Sequence, residues 1–162
     1  MMGTGKSVVG QIVSEKLGLS FLDSDHEIEE QTGFSINEIF TKFGEEKFRE
    51  LEHSFIAQGH ESEGNLISCG GGLCIAQGML ERLKKMGLVI CLWASPETIL
   101  SRTQADSNRP LLKVDSPLTE IERMLAQREK RYLAADKVLS TDNRSIEQVA
   151  KLVVEFYSAQ TS

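Results

Sequence analysis

Residues 3–7 read Gly-Thr-Gly-Lys-Ser and run straight into a stretch with Val8, Val9, Ile12, Val13 and Leu17 at helical spacing. A glycine-rich turn closing on Lys-Ser at the head of a helix is the second half of the phosphate-binding pattern G-x-x-x-x-G-K-[ST]. It constrains the fold more than any other feature, because such a loop hangs from a buried strand of an α/β sheet. Gly3 and Gly5 let backbone amides turn inward with no Cβ in the way. The helix from Lys6 aims its positive end at the phosphates. Lys6 reaches the β- and γ-phosphates as a point charge, and the Ser7 hydroxyl is a ligand for Mg²⁺. Gly3, Thr4, Gly5, Lys6 and Ser7 are thus expected to hold the nucleotide. The first glycine of the pattern falls one position before Met1, and no strand precedes the loop in the sequence.

The rest of the chain alternates between strand and helix patterns. Strands are expected over 19–23, 65–69, 88–93 and 137–141, the third a near-continuous apolar run suited to burial on both faces. Helices are expected over 6–17, ended by Gly18, then over 25–33, 35–44 with Ser35 as cap, 45–59, 75–87 despite Gly78, 95–103 with Ser95 as cap and Pro96 in its first turn, 118–135 and 145–157. Residues 104–117 are polar and carry two prolines, so they are expected to be irregular. Strands alternating with helices imply one α/β domain over 1–162, a parallel sheet wrapped on both faces.

Charge narrows the partners. The chain has 18 basic and 24 acidic residues, a net charge of −6, which argues against a nucleic-acid partner, since that would want a basic face. It does not exclude anionic small molecules, since a pocket can be locally basic. Cys69, Cys74 and Cys91 lack metal or redox spacing and are expected to pack as small hydrophobes. His26, His53 and His60 are expected on helix surfaces, and Trp93 in packing. No run is long enough to span a bilayer and no signal pattern opens the chain, so the cytoplasm is the expected location.

Further candidate residues follow the loop. Asp23 and Asp25 lie two apart at a strand end, where alternation would face them the same way; one suits Mg²⁺ through water, the other a substrate hydroxyl. Phe48-Arg49-x-x-Glu52 lies on a helix, Gly70-Gly71-Gly72 closes a strand with amides bare of side chains, Arg109 sits in Arg-Pro-Leu-Leu within the irregular stretch, and Arg128 and Tyr132 share a helix face. Singly, each arginine reads as surface charge.

In combination and in this order, the motifs D-x-D, F-R-x-x-E, G-G-G, R-P-L-L and R-x-x-x-Y resemble those of shikimate kinases, over nearly the whole chain. The resemblance implies a P-loop, nucleoside-monophosphate-kinase-like fold of three α/β/α layers with strand order 2-3-1-4-5, strand 1 being absent from this chain. It implies transfer of the γ-phosphoryl group of MgATP to the 3-hydroxyl of shikimate, by a monomer. By match of motif, Asp25, Arg49, Gly71, Gly72 and Arg128 would hold shikimate, Arg109 would close a lid of about 104–117 over the phosphates, Arg102 would pack on adenine, and Asp23 would support the magnesium shell. Lys6, Asp25 and Arg109 would be catalytic, and helices within about 25–60 would form the substrate side. A gluconate-type kinase is the runner-up enzyme.

The missing strand would leave its neighbours with unpaired backbone groups in the interior. Three explanations compete: a longer native N-terminus carrying an apolar strand, another segment or a second copy's terminus in the gap, or a catalytically weak or dead kinase-like binding module. The first is favoured, because the remaining site residues are intact.

Overall fold

The chain is described from a computed structural model, which covers residues 1–103 and 116–161. Two parallel strand pairs carry the architecture. β1 (Ser20–Asp23) pairs with β2 (Asn65–Ser68) from Ser20↔Asn65 to Asp23↔Ser68. β3 (Ile90–Trp93) pairs with β4 (Lys137–Ser140) from Ile90↔Lys137 to Trp93↔Ser140. Among the described residues the pairs form two separate sheets, in the order β1-β2 and β3-β4. That is the implied order with the central place open.

Alternation along each strand builds the layers. Leu66 of β2 and Ile90 and Leu92 of β3 pack with Val9 and Val13 of α1 (Lys6–Leu17) and with Val149 and Val153 of α7 (Ile146–Thr161). Their neighbours face the other way. Ile67 packs with Phe55 and Ile56 of α3 (Ile36–Gln58), and Cys91 and Trp93 pack with Ile121 and Met124 of α6 (Pro117–Tyr132). α2 (Ser24–Thr32) adds Ile28 to the α3 cluster, and α5 (Pro96–Thr103) adds Ile99 to the α6 cluster. The result is the expected α/β/α sandwich. Gly10 lets α1 lie close to the sheet: a Cβ there would stand 2.6 Å from the Phe21 ring.

Between β2 and β3 lies a slot of about 690 Å³, lined by Leu66 and Ile67 on one side, Ile90 and Leu92 on the other, and Val9 and Val13 of α1. It explains why β3 is less buried than a strand covered on both faces and flanked on both edges: only Leu92 of its four residues is buried.

Three expectations are corrected. The helix expected over 75–87 begins only after Gly78, which adopts φ 76°. α4 spans Met79–Met86, preceded by a 3₁₀ turn at Leu73–Ile75. The helices expected over 35–44 and 45–59 run together as α3, with non-helical backbone at Gly44 (φ 83°, ψ 172°) marking the boundary that the sequence placed there. His60 lies past the end of α3, half-buried, its ring 5.4 Å from that of Phe55; like His53 it has a buried Nε2 with no partner among the described residues, so neither is a helix-surface residue.

Candidate active site

The loop Gly3–Ser7 and the carboxyl ends of β1 and β2 meet at one place. Gly5, at φ 83°, turns the chain into α1. The Lys6 ammonium donates to the Met1 carbonyl over 2.8 Å, folded back over the loop, and the buried Thr4 hydroxyl donates to the same oxygen. Ser7, exposed at the mouth, donates to Asp23 Oδ2 over 2.7 Å and lies 3.5 Å from the Ser68 hydroxyl. Asp23 ends β1 and caps α2 by accepting from the Asp25 amide; Asp25 already lies in the first turn of α2, so the two carboxylates are brought near each other by the helix cap and not by the strand alternation expected from the sequence. Burial, and then the charge of Asp23, push the Asp25 carboxyl above its ordinary value, with Lys6 opposing.

Gly70, Gly71 and Gly72 form a hub on which three elements converge. A Cβ at Gly70 would stand 2.8 Å from Asp25 Oδ1 and 3.0 Å from Glu52 Oε1. One at Gly71 would stand 3.2 Å from the Met1 backbone, and one at Gly72 would stand 2.5 Å from both terminal nitrogens of Arg49. The Gly71 carbonyl accepts from the Tyr132 hydroxyl at 2.6 Å. Arg128, half-buried one turn earlier on α6, hydrogen-bonds the same hydroxyl and opposes the rise that burial imposes on its pKa. Arg49 and Arg128 therefore approach one glycine run from α3 and α6, beside the loop and not on remote surfaces.

Arg49 is held in place. Its guanidinium donates to Glu52 Oε2 and to Glu45 Oε1 (2.8 Å), and it lies over the Phe48 ring. Glu45 is exposed, whereas the Glu52 side chain is wholly buried, and burial raises its pKa against the pull of Arg49. Asp25 Oδ1 and Glu52 Oε1 are buried acceptors with no hydrogen-bond partner among the described residues. Two such atoms aimed at one point, next to a guanidinium, are what a polyhydroxy acid would satisfy.

Arg102 donates to the Gly3 carbonyl (3.2 Å) and to the hydroxyl and carbonyl of Thr141 (2.8 and 3.0 Å), tying the loop to the end of β4. Arg109 and most of the lid expected over 104–117 lie outside the described residues.

The family model for shikimate kinase matches residues 2–158. The chain belongs to the shikimate kinase family. Members transfer a phosphoryl group from ATP to shikimate, so the fold, the enzyme class and the reaction expected from the sequence are those of the family. A shikimate kinase of Thermodesulfovibrio yellowstonii is 40% identical over 156 residues, covering 96% of this chain and 90% of that protein. One of Geobacter sulfurreducens is 41% identical over 155 residues, covering 96% and 86%. Among solved structures, the Acinetobacter baumannii shikimate kinase in complex with shikimate superposes with a TM-score of 0.91 at 35% identity, over 98% of this chain and 89% of that one. The enzyme of Aquifex aeolicus gives 0.86 at 34% identity, over 99% and 94%.

Two residues at the hub, Glu52 and Met1, stood out little or not at all in the sequence of this family member. Glu52 was legible only as the last letter of F-R-x-x-E; its spacing of three from Arg49 on a helix was the available signal. Met1, whose backbone packs on Gly71, carried none.

The hub yields a prediction. In Gly72→Ala the methyl group pushes the Arg49 guanidinium away from the buried Glu52, so Tm is expected to fall, though by less than in a variant that lacks the guanidinium. KM for shikimate should rise by about tenfold or more, roughly one charge-assisted hydrogen bond. Thermal denaturation beside steady-state kinetics separates the two effects.

Proposed function

We propose that this chain phosphorylates the 3-hydroxyl of shikimate with MgATP, the phosphates lying on Gly3–Ser7 and shikimate on the Gly70–Gly72 hub. The reading takes the enzyme as a monomer working in the cytoplasm. Among the described residues no helix is long and apolar enough to cross a membrane.

The observation that carries the assignment of roles is the pair of orphaned acceptors, Asp25 Oδ1 and Glu52 Oε1, set beside Arg49 within reach of the loop. The arginines take the carboxylate of shikimate, Arg49 by exchanging its exposed partner Glu45 for the substrate. Asp25 accepts from a ring hydroxyl, orients it and takes its proton as the oxygen attacks phosphorus. Lys6 leaves the Met1 carbonyl for the phosphates and offsets charge on the transferring group, which passes through a loose transition state that needs positioning and electrostatics above all. Mg²⁺ fits Ser7 and Asp23, two hard oxygen donors already in contact, because this ion keeps most of its shell for phosphates and water. When bound it neutralises charge on the phosphate oxygens. Arg102 stands at the loop, where a base would meet it.

The deciding assay follows ADP release with and without shikimate. Shikimate-dependent turnover supports the reading; none, despite calorimetric binding, would make the chain a binding module, and turnover with gluconate alone would make it the runner-up kinase.

A pH dependence follows from Asp25. Only its ionised form accepts the proton, and its folded pKa stands above the usual 3.8 through burial and Asp23. Activity is therefore lost as pH falls through that raised value. The acid limb of the kcat/KM profile should lie above the ordinary carboxylate range and move down in Asp23→Asn, which removes one of the two causes. A limb that stays in place in that variant would assign it to another group.

A further inference from the structure

Tyr132 closes the R-x-x-x-Y motif, yet no step of the reaction above uses it. It is the last residue of α6 and 5% exposed, with its ring edge-on to Trp93 at 6.4 Å between centroids. That packing suits a phenylalanine equally well. The hydroxyl needs its own account, because a buried phenol is costly unless its O–H and its oxygen find partners.

It has two. The O–H donates to the Gly71 carbonyl over 2.6 Å, joining residues 61 apart in the sequence. A phenol has a single proton to give, and the Met1 sulfur at 4.0 Å is too far to compete for it. The oxygen's lone pairs are left to accept, and they take the bond from Arg128, one turn earlier on α6. A guanidinium only donates, so no other polarity is open to the pair. Hub, phenol and arginine thus form one directed chain. The glycine run that anchors it is itself fixed: the Gly70 amide donates to the fully buried Ser24 hydroxyl over 2.9 Å, and Arg49 lies against Gly72. Tyr132 therefore sets where Arg128 stands relative to the hub that Arg49 approaches from α3.

We propose that Tyr132 is a positioning residue for the acid substrate: its hydroxyl, locked to the Gly71 carbonyl, holds the Arg128 guanidinium at the hub before shikimate arrives. An arginine tied down in advance loses less rotamer freedom when a carboxylate binds it, so affinity gains. The carboxylate takes no part in the bonds made and broken at the 3-hydroxyl, so its grip is equal in ground and transition states. The contribution of the hydroxyl therefore falls in KM and not in kcat. The proposal rests on the assignment of Arg128 to the substrate carboxylate, and three variants separate the two.

The test compares Tyr132→Phe, Arg128→Ala and the double variant with the parent, by steady-state kinetics and thermal denaturation. Tyr132→Phe keeps the ring and is expected to lower Tm by only a few degrees. KM for shikimate should rise about five- to tenfold, while kcat and KM for ATP stay within about twofold. Arg128→Ala should raise KM for shikimate further. Removing the hydroxyl as well should then change it by less than about twofold, because the hydroxyl acts through the arginine. A purely structural role would lower Tm and leave KM in place, which overturns the proposal; so does a double variant in which the two effects multiply. Both results leave the kinase reading standing. Arg128→Ala with unchanged KM overturns the proposal together with the role given to Arg128. The parent offers a readout that needs no variant. By NMR of the guanidinium nitrogens without substrate, the Arg128 group should rotate more slowly than that of the exposed Arg82, and equal rates overturn the proposal.

Discussion

Replacing Lys6 with alanine is expected to lower turnover at least about 100-fold, as removal of other charge-stabilising donors does, while shikimate affinity moves only a few-fold. The reason is the difference between ground and transition states. The Lys6 ammonium lies over the loop, on the Met1 carbonyl. Its charge matters most when negative charge is spreading over the transferring group, so its loss appears in kcat. The folded loop keeps the Thr4 hydroxyl bond to the same carbonyl, and Tm should fall only slightly. Turnover within a few-fold of the parent would remove the phosphate loop from the account.

The second large effect is at Arg49, where affinity and stability should fall together. Arg49→Ala removes a charge-assisted anchor for the substrate carboxylate, which is expected to weaken shikimate binding between about 10- and 100-fold. It also strands Glu52, whose carboxylate is wholly buried. Breaking a buried pair from one side costs about 3–5 kcal/mol, and Glu45, being exposed, offers no compensation. The pH dependence has a definite sign. Without the guanidinium, nothing opposes the desolvation that already raises the Glu52 pKa above 4.5. The folded variant then keeps a proton that the unfolded chain releases, so its stability falls as pH rises above 4.5. Glu52→Gln keeps the shape and removes the charge, and should cost less stability than Arg49→Ala. Arg49→Lys keeps the charge and loses the fork, and should recover stability better than affinity. Chemical denaturation across pH, beside shikimate titration, resolves the four proteins.

The features that sequence made legible are those fixed by local chemistry. α1 begins and ends where Lys6 and Gly18 put it, and Ser35 and Ser95 cap their helices as expected. The features that escaped are tertiary. Gly78 interrupts a stretch whose apolar pattern is helical, and only the left-handed backbone there shows that the helix starts after it. Glu52 looks like any helix-surface acid until α3 packs against the hub and buries it.

The measurement that bears most directly on the central claim is a crystal structure of this chain with shikimate and a non-hydrolysable MgATP analogue. The account predicts the carboxylate between Arg49 and Arg128, a ring hydroxyl on Asp25, and the terminal phosphate beside Lys6 on the same side of the glycine hub. Shikimate bound elsewhere, with Arg49 still on Glu45 and Glu52 and Arg128 turned away from the hub, would contradict it.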